Sequence, residues 1–401
     1  MRLIFQLLNR KYNQIKLVKM KNWIIIMWSI AMLVSCQVNQ MAIEVSNLSD
    51  IAHEKTTVEV AWVDIVAKLP AIDPSKMVVV DAKKKSELAY QIIYLGEQTP
   101  QILIFQVTLA PGESTEVLIR EGKPKLQPVA KTFGRFVPER KDDFAWENDR
   151  IAFRMYGPAI APENPSNGVD LWVKKTDKLI VNQFYDDDLN NGKSYHVDHG
   201  EGLDCYKVGP ALGAGGIAPF VNDTLWVGKH FVTQKVLDNG PLRTTFRLTY
   251  DNLPVGKKIF SQELTISLDA GSQLNKAVVS YDGDFTAMKV AAGIFLHQDP
   301  GNIKTDLAAG YNAFAEIATS DAGVPAGRNY VATVIPNGKM SGTLKQQNHI
   351  LAVASYTKGD KFTYYFGGGW SQWGFATDDA WFDEVANFAA KLKKPLKVTF
   401  K

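Results

Sequence analysis

Residues 195–209 read Tyr-His-Val-Asp-His-Gly-Glu-Gly-Leu-Asp-Cys-Tyr-Lys-Val-Gly and lead into the glycine-rich 213–216. Two of the six histidines, His196 and His199, stand three residues apart beside Asp198, Glu201, Asp204, Tyr206 and Lys207. Imidazole and phenol side chains in one glycine-flanked loop suit general base and acid work on a bound substrate. The same histidines with a carboxylate are also donors for a divalent metal such as zinc, although His-x-x-His on extended chain converges less readily than on a helix. A third reading is a buried network in which Asp-His pairs fasten the loop.

A second polar cluster spans 133–154. Arg135, Arg140, Arg150 and Arg154 alternate with Glu139, Asp142, Asp143, Glu147 and Asp149. Most of these charges are expected to form a solvated, self-paired belt. One or two arginines left over would clamp a carboxylate or sulfate, since the planar guanidinium bonds such groups bidentately. Trp146 offers a flat face to a sugar ring. His297, at the end of an apolar run before Gln298-Asp299-Pro300, either completes the site or caps a strand. In Gly367-Gly-Gly-Trp-Ser-Gln-Trp373, Trp370 and Trp373 serve either as a sugar platform or as core. His53, His230 and His349 stand alone and read as structural or surface residues.

The elements that must carry these groups are strands. Apolar and β-branched runs at 57–63, 77–80, 102–109 and 114–119 are divided by Pro111-Gly112 and similar turns, giving a small antiparallel β unit over 51–125. The proline- and charge-rich 121–128 links it to the main domain, 126–401. There, runs at 226–237, 242–250, 258–268, 275–281, 290–296, 330–335, 350–356 and 362–366 recur between Asn-Gly, Asp-Asn and Ala-Gly turns. The expected fold is therefore all-β, a large antiparallel β-sandwich with few helices. The clearest helix begins near Asp378-Asp379, buries Trp381, Val385, Phe388, Ala389 and Leu392 at helical spacing, and stops at Lys393-Lys394-Pro395.

With 46% hydrophobic and 22% charged side chains in 401 residues, the chain has ample material for a large core. Its 45 basic against 42 acidic residues are unevenly spread: the first 35 residues hold six basic side chains and no acid. Removing those six leaves 39 against 42, a slight acidic excess that argues against a nucleic-acid partner. Residues 23–34 form an uncharged apolar stretch too short to span a bilayer, ending in Leu33-Val34-Ser35-Cys36. Residues 1–35 thus read as an export signal closing on a lipobox, with Cys36 acylated and 36–50 a polar tether. The expected location is the cell envelope, with membrane contact through the lipid alone. Only Cys36 and Cys205 are present, so a lipidated chain has no intrachain disulfide.

Three segments, 133–158, 195–216 and 369–381, together resemble a Bacteroidetes family of exported carbohydrate-locus proteins known mainly as a domain of unknown function. The resemblance covers nearly everything after residue 42. It implies the activity of an ulvan oligosaccharide dehydratase, a hydro-lyase that removes water from a terminal glucuronate or iduronate to leave a 4,5-unsaturated uronyl residue. The strand pattern is also similar to the galactose-mutarotase-like supersandwich. On this reading Arg135, Arg140 or Lys207 holds the uronate carboxylate, His196 or His199 takes the C5 proton, and Tyr206 or the other histidine protonates the departing 4-hydroxyl. Trp146 and Trp370 would contact sugar, His297 would complete the catalytic group, and no cofactor is required, a divalent metal at His196 and His199 being the alternative. A polysaccharide lyase using the same proton steps and a non-catalytic surface glycan-binding lipoprotein are the competing functions.

Overall fold

The computed structural model describes residues 40–297, 301–336 and 338–401. The expected export signal and its acylated Cys36 fall on residues outside those described. Residues 41–401 form one compact unit. Among the described residues no helix is long and apolar enough to cross a membrane.

The first layer pair is built from short alternating strands. A five-stranded sheet runs in the order Lys397–Phe400, Gln40–Ser46, Ser114–Glu121, Met77–Asp81, Ser86–Glu87. A three-stranded sheet of His53–Ala61, Ile102–Leu109 and Tyr90–Ile93 accompanies it. Their inward faces share a core of Ile43, Val45, Val60, Phe105, Val117 and Ile119. The tether expectation is corrected here. Gln40–Ser46 alternates exposed and buried positions, and burying Met41, Ile43 and Val45 converts this stretch into a strand. Its register with the C-terminal strand pairs Ile43 with Phe400 and Val45 with Val398, so the chain's last residues close the N-terminal sheet. Residues 62 and 63, read as strand, instead begin a short helix, α1 (Trp62–Lys68).

The larger part is the expected antiparallel sandwich. An eight-stranded sheet takes the order Thr233–Asn239, Arg243–Val255, Lys258–Asp269, Leu274–Asp282, Phe362–Trp370, Pro325–Val334, Tyr311–Thr319, Asn302–Asp306. A five-stranded sheet of Thr224–Leu225, Ala214–Val221, Ala287–Phe295, His349–Thr357 and Met340–Gln346 packs across a large apolar core containing Phe246, Ile266, Val290, Ile294, Ala352 and Phe366. The strand expected over 226–237 is realised only from Thr233, and 226–232 run as irregular chain.

A further five-stranded sheet carries most of the polar cluster: Gly202–Asp204, Val169–Lys174, Ala152–Met155, Asp143–Asn148 and Thr132–Val137. Every residue of Ala152–Met155, Asp143–Asn148 and Val169–Lys174 is buried, because both faces of this sheet are covered. One face joins the main core through Phe144, Trp146 and Phe153. Over the other lies α2 (Val181–Asn191), with Phe184 and Tyr185 packed against Trp172 and Tyr195. The solvated belt expected over 133–154 is thus largely internal.

The anticipated C-terminal helix is α3 (Asp378–Lys393). Thr377 caps it, its hydroxyl accepting from the Ala380 N–H, while Asp378 and Asp379 sit in the first turn and Lys391 and Lys393 in the last, as the helix dipole favours. Trp381, Val385 and Ala389 bury against Tyr330, Ala332 and Val334 of the eight-stranded sheet.

Candidate active site

Two buried ion pairs set the frame. Glu147 and Lys174 meet at 2.8 Å with both side chains 0% exposed. The Glu147 carboxylate also accepts from the backbone N–H groups of Ile180 (2.8 Å) and Val181 (2.7 Å), which satisfies the first turn of α2 and neutralises its positive dipole end. Lys174 spends its remaining donors on the carbonyls of Asn148 and Lys178. Both ions are therefore fully bonded, which burial of an ion pair demands.

The second frame is centred on Arg154. Its Nε donates to Asp170 (2.9 Å), Nη1 to the Tyr195 hydroxyl (3.1 Å), and Nη2 to Asp204 (2.7 Å) and the Tyr156 hydroxyl (3.1 Å). The indole of Trp172 adds a donor to Asp170 at 2.9 Å. Burial and the neighbouring Asp170 push the Asp204 carboxyl well above the usual range, against the pull of Arg154. Asp143 is likewise pushed up by burial, although Arg154, Arg140 and the Tyr185 hydroxyl favour its charge.

Arg140 enters this group from a strained turn. Lys141 and Asp142, which follow it, are both in the left-handed region at φ 51° and 63°, and the chain then turns into the Asp143–Asn148 strand. The turn is pressed against Gly157, where a Cβ would stand 2.0 Å from the Asp142 carbonyl oxygen, so only glycine fits. Arg140 Nη1 is 3.7 Å from Asp143 Oδ2, is buried, and makes no hydrogen bond. Burial works against its charge, but Tyr195 and Asp143 more than offset this and hold the guanidinium above its ordinary value. Arg135 is committed instead: Nε to Asn182 at 2.7 Å and Nη2 to Glu139 at 2.6 Å. Of the two arginines expected as carboxylate clamps, Arg140 is the one with a free donor.

The histidines separate. His196 is half-buried against Tyr195, ring centroids 4.6 Å apart, and its Nδ1 lies 3.0 Å from the Asp204 carbonyl. A carbonyl only accepts, so Nδ1 carries the hydrogen and Nε2 presents a lone pair. Burial pulls this imidazole below its ordinary value, keeping it neutral. His199 is exposed and directs Nε2 to the Ser194 carbonyl at 3.0 Å. Its loop neighbours Asp198 and Glu201 are tied to Lys175 (2.5 Å) and Lys178 (3.0 Å). Among the described residues no group of three or more His, Cys, Asp or Glu side chains is arranged to hold a metal ion.

His297 has both nitrogens engaged, Nδ1 with Glu316 at 2.7 Å and Nε2 with the Lys207 carbonyl at 2.6 Å. Burial opposes its charge, yet these two acceptors raise its pKa, and the ring stands edge-on to Tyr206 at 5.2 Å. It therefore positions its neighbours and has no lone pair to offer. Tyr206 is buried with no hydrogen-bond partner for its hydroxyl, and burial pushes that phenol well above its ordinary value. Lys207 pairs with Asp321, at the tip of the hairpin between Tyr311–Thr319 and Pro325–Val334; Asp321 Oδ2 also lies 3.5 Å from His196 Nδ1.

Two expected sugar contacts are corrected. Trp146 is 0% exposed, stacked on Phe153 and bonded to Asn275 at 2.7 Å; Trp370 is 1% exposed and donates to the Ala326 carbonyl at 2.6 Å. Each lies in a strand whose inward face is core, so neither ring is available to a saccharide. Sequence reasoning missed Asp143, Arg154 and Asp170 as a bonded centre. The available signal was the apolar run around Arg154 and around Asp170; the charged stretch before Asp143 gives none.

A model of the family described as Domain of unknown function (DUF4861) matches residues 45–398. An uncharacterized protein, P7, of Formosa agariphila is 30% identical over 337 residues, covering 80% of this chain and 83% of that protein. Among solved structures, a glycosyl hydrolase family 38 protein of Enterococcus faecalis aligns with a TM-score of 0.51 at 9% identity, over 90% of this chain and 47% of that one. An alpha-mannosidase from Enterococcus faecalis V583 gives 0.50 at 9%, over 90% and 46%. The chain thus spans about half the length of those two proteins, and at such identity the likeness is one of fold. The match over 45–398 and the Formosa relative place this chain in the DUF4861 family.

Proposed function

We propose that the chain is a dehydratase acting on the non-reducing-end uronic acid of ulvan-type oligosaccharides, leaving a 4,5-unsaturated uronyl residue. The observation that carries this reading is that a neutral imidazole with a free Nε2, His196, and a guanidinium with an unfilled donor, Arg140, both lie against Tyr195. The first removes a proton and the second holds the carboxylate beside it.

The proton at C5 is acidic enough to remove only if charge developing on the adjacent carboxylate is stabilised. Arg140 supplies that contact. His196 Nε2 takes the C5 proton, the released electron pair forms the C4–C5 double bond, and the 4-hydroxyl departs as water with a proton from Tyr206. Burial keeps that phenol protonated, as an acid must be before the step. Because Tyr206 is buried in the apolar core, this role requires substrate entry to displace the side chains covering it; Lys207, next in sequence and half exposed with Asp321, is the proposed moving part. The same loop already holds one carboxylate, that of Asp321, beside Lys207 and His196. The distant fold neighbours, a glycosyl hydrolase family 38 protein and an alpha-mannosidase, agree with a saccharide substrate.

The test is product analysis on defined glucuronyl- and iduronyl-rhamnose oligosaccharides. A product lighter by one water, with new ultraviolet absorbance and unchanged chain length, is expected. Chain shortening would assign a polysaccharide lyase, and binding without turnover a glycan-binding protein. We further propose that the mature protein is exported and held at the membrane by acylated Cys36; Cys36→Ala should release it to the soluble fraction.

A further inference from the structure

A cleft of about 530 Å³ shares no lining residue with the candidate active site. Its walls come from the His53–Ala61 strand, the hairpin of Lys258–Asp269 and Leu274–Asp282, and α3. Lys55, Lys276 and Lys391 line it, and no carboxylate of the described residues comes within ion-pair distance of any of them. Arg243, also in the wall, is fully consumed by Asp269 (2.5 and 2.8 Å) and Glu59 (2.6 Å). The acids left unpaired in the cleft are Glu54 and Glu384, so uncompensated cations outnumber them by three to two.

The lysines are placed by the backbone. Pairing of His53–Ala61 with Ile102–Leu109 slips between His53 and Thr56, and Lys55 adopts φ 42° at this bulge, which aims its side chain across Gly271. Bulges of this kind redirect side chains toward ligands as well as ending pairing. Gln273 Oε1 is buried in the wall without a hydrogen-bond donor. An orphaned buried acceptor is destabilising unless something donates to it. Tyr365 and Phe388, partly exposed and edge-to-face at 5.3 Å, add an aromatic surface to the same cleft.

Lysines without partners, an empty acceptor and an aromatic wall are together what a saccharide bearing carboxylate or sulfate would satisfy: the anion meets ammonium groups, a hydroxyl donates to Gln273, and the ring's C–H face covers Tyr365 and Phe388. We infer that this cleft is a second saccharide-binding site, taking an anionic segment of a glycan apart from the place of turnover. The saccharide class rests on the function proposed above; the anion preference rests on the lysines.

The test is acetylation footprinting of the full chain, read by mass spectrometry, with a glucuronyl-rhamnose tetrasaccharide in sulfated and unsulfated forms and neutral cellotetraose as control. Lys276 and Lys391 should be protected by an anionic tetrasaccharide and not by cellotetraose; protection by the sulfated form alone assigns sulfate as the recognised anion. In parallel, the double variant Lys276→Gln/Lys391→Gln should bind the anionic tetrasaccharide at least about tenfold more weakly at one class of sites, with turnover of a disaccharide unchanged. Absence of protection, or equal protection by cellotetraose, overturns the inference. Protection in a chain that never forms an unsaturated product supports the cleft and removes the dehydratase reading.

Discussion

Arg154 and Asp204 meet at 2.7 Å with side chains 2% and 3% exposed, and the same guanidinium reaches Asp170 at 2.7 Å. Two carboxylates therefore depend on one cation for their burial. Arg154→Met leaves both unpaired in a dry environment and should cost about 3–5 kcal/mol of unfolding free energy. Urea denaturation at neutral pH measures this directly. A loss below about 1 kcal/mol would mean that water or a conformational shift already relieves the centre.

Glu147 does two jobs at once, pairing with Lys174 and capping α2. Removing it should therefore be worse than removing the pair. Glu147→Leu alone should destabilise by about 3–5 kcal/mol, whereas Glu147→Leu with Lys174→Met should recover part of that loss because no charge is then stranded. A double variant no more stable than the single one would assign the whole effect to the lost helix cap.

His196 and His199, alike in the sequence, should behave differently. His196→Ala should lower kcat for dehydration at least about 100-fold, as loss of a general base does, while His199→Ala should stay within about tenfold because that ring is exposed and bound to its own loop. The pH profile gives a second reading. A base must be neutral to act, and burial holds His196 below the ordinary imidazole value, so activity should fall only as pH drops below about 6.5. The same shift makes acidification destabilising, since the folded state resists protonating this ring more than the unfolded chain does. An acidic limb centred above pH 7 would exclude His196 as the base.

The sheet architecture was legible because strand runs and turns recur with period two, and the stripe from Trp381 to Leu392 fixed α3 by its spacing. The 195–209 loop was legible too, though only as a list of groups. What spacing alone does not reveal is which face of a strand is covered. Asp143–Asn148 reads as charged, and charge normally marks a surface; here α2 covers the outer face and the sandwich core the inner one, so the charges had to pair internally. The helix that does this, α2, carries three successive aspartates and shows little apolar spacing, which hides it. Trp146 and Trp370 were misplaced for the same reason, as a nearby glycine or charge does not report the direction of a strand's side chains.

Cys205 provides a check on the packing beneath the loop. It is buried, bonded to Asn329 at 3.4 Å, and burial pushes its thiol up to about 12. The thiolate is the reactive form, so iodoacetamide at pH 8 should leave Cys205 unmodified in the folded chain and label it quantitatively in urea. Rapid labelling of the native protein would show that the segment between Asp204 and Lys207 opens freely.

Asp321 tests whether the site is held shut by its own carboxylate. It pairs with Lys207 and stands 3.5 Å from the Nδ1 of the neutral His196, so it competes with the anionic oligosaccharide for Lys207 and sets a negative charge beside the base. Asp321→Ala removes the competitor without touching a residue that transfers protons. Since a half-exposed ion pair contributes up to about 1 kcal/mol, KM for the acidic oligosaccharide should fall up to about fivefold with kcat little changed. Added salt screens the pair, so the difference between variant and parent should narrow as ionic strength rises. A higher KM in the variant would reverse the assignment, making Asp321 a group that orients Lys207 for substrate.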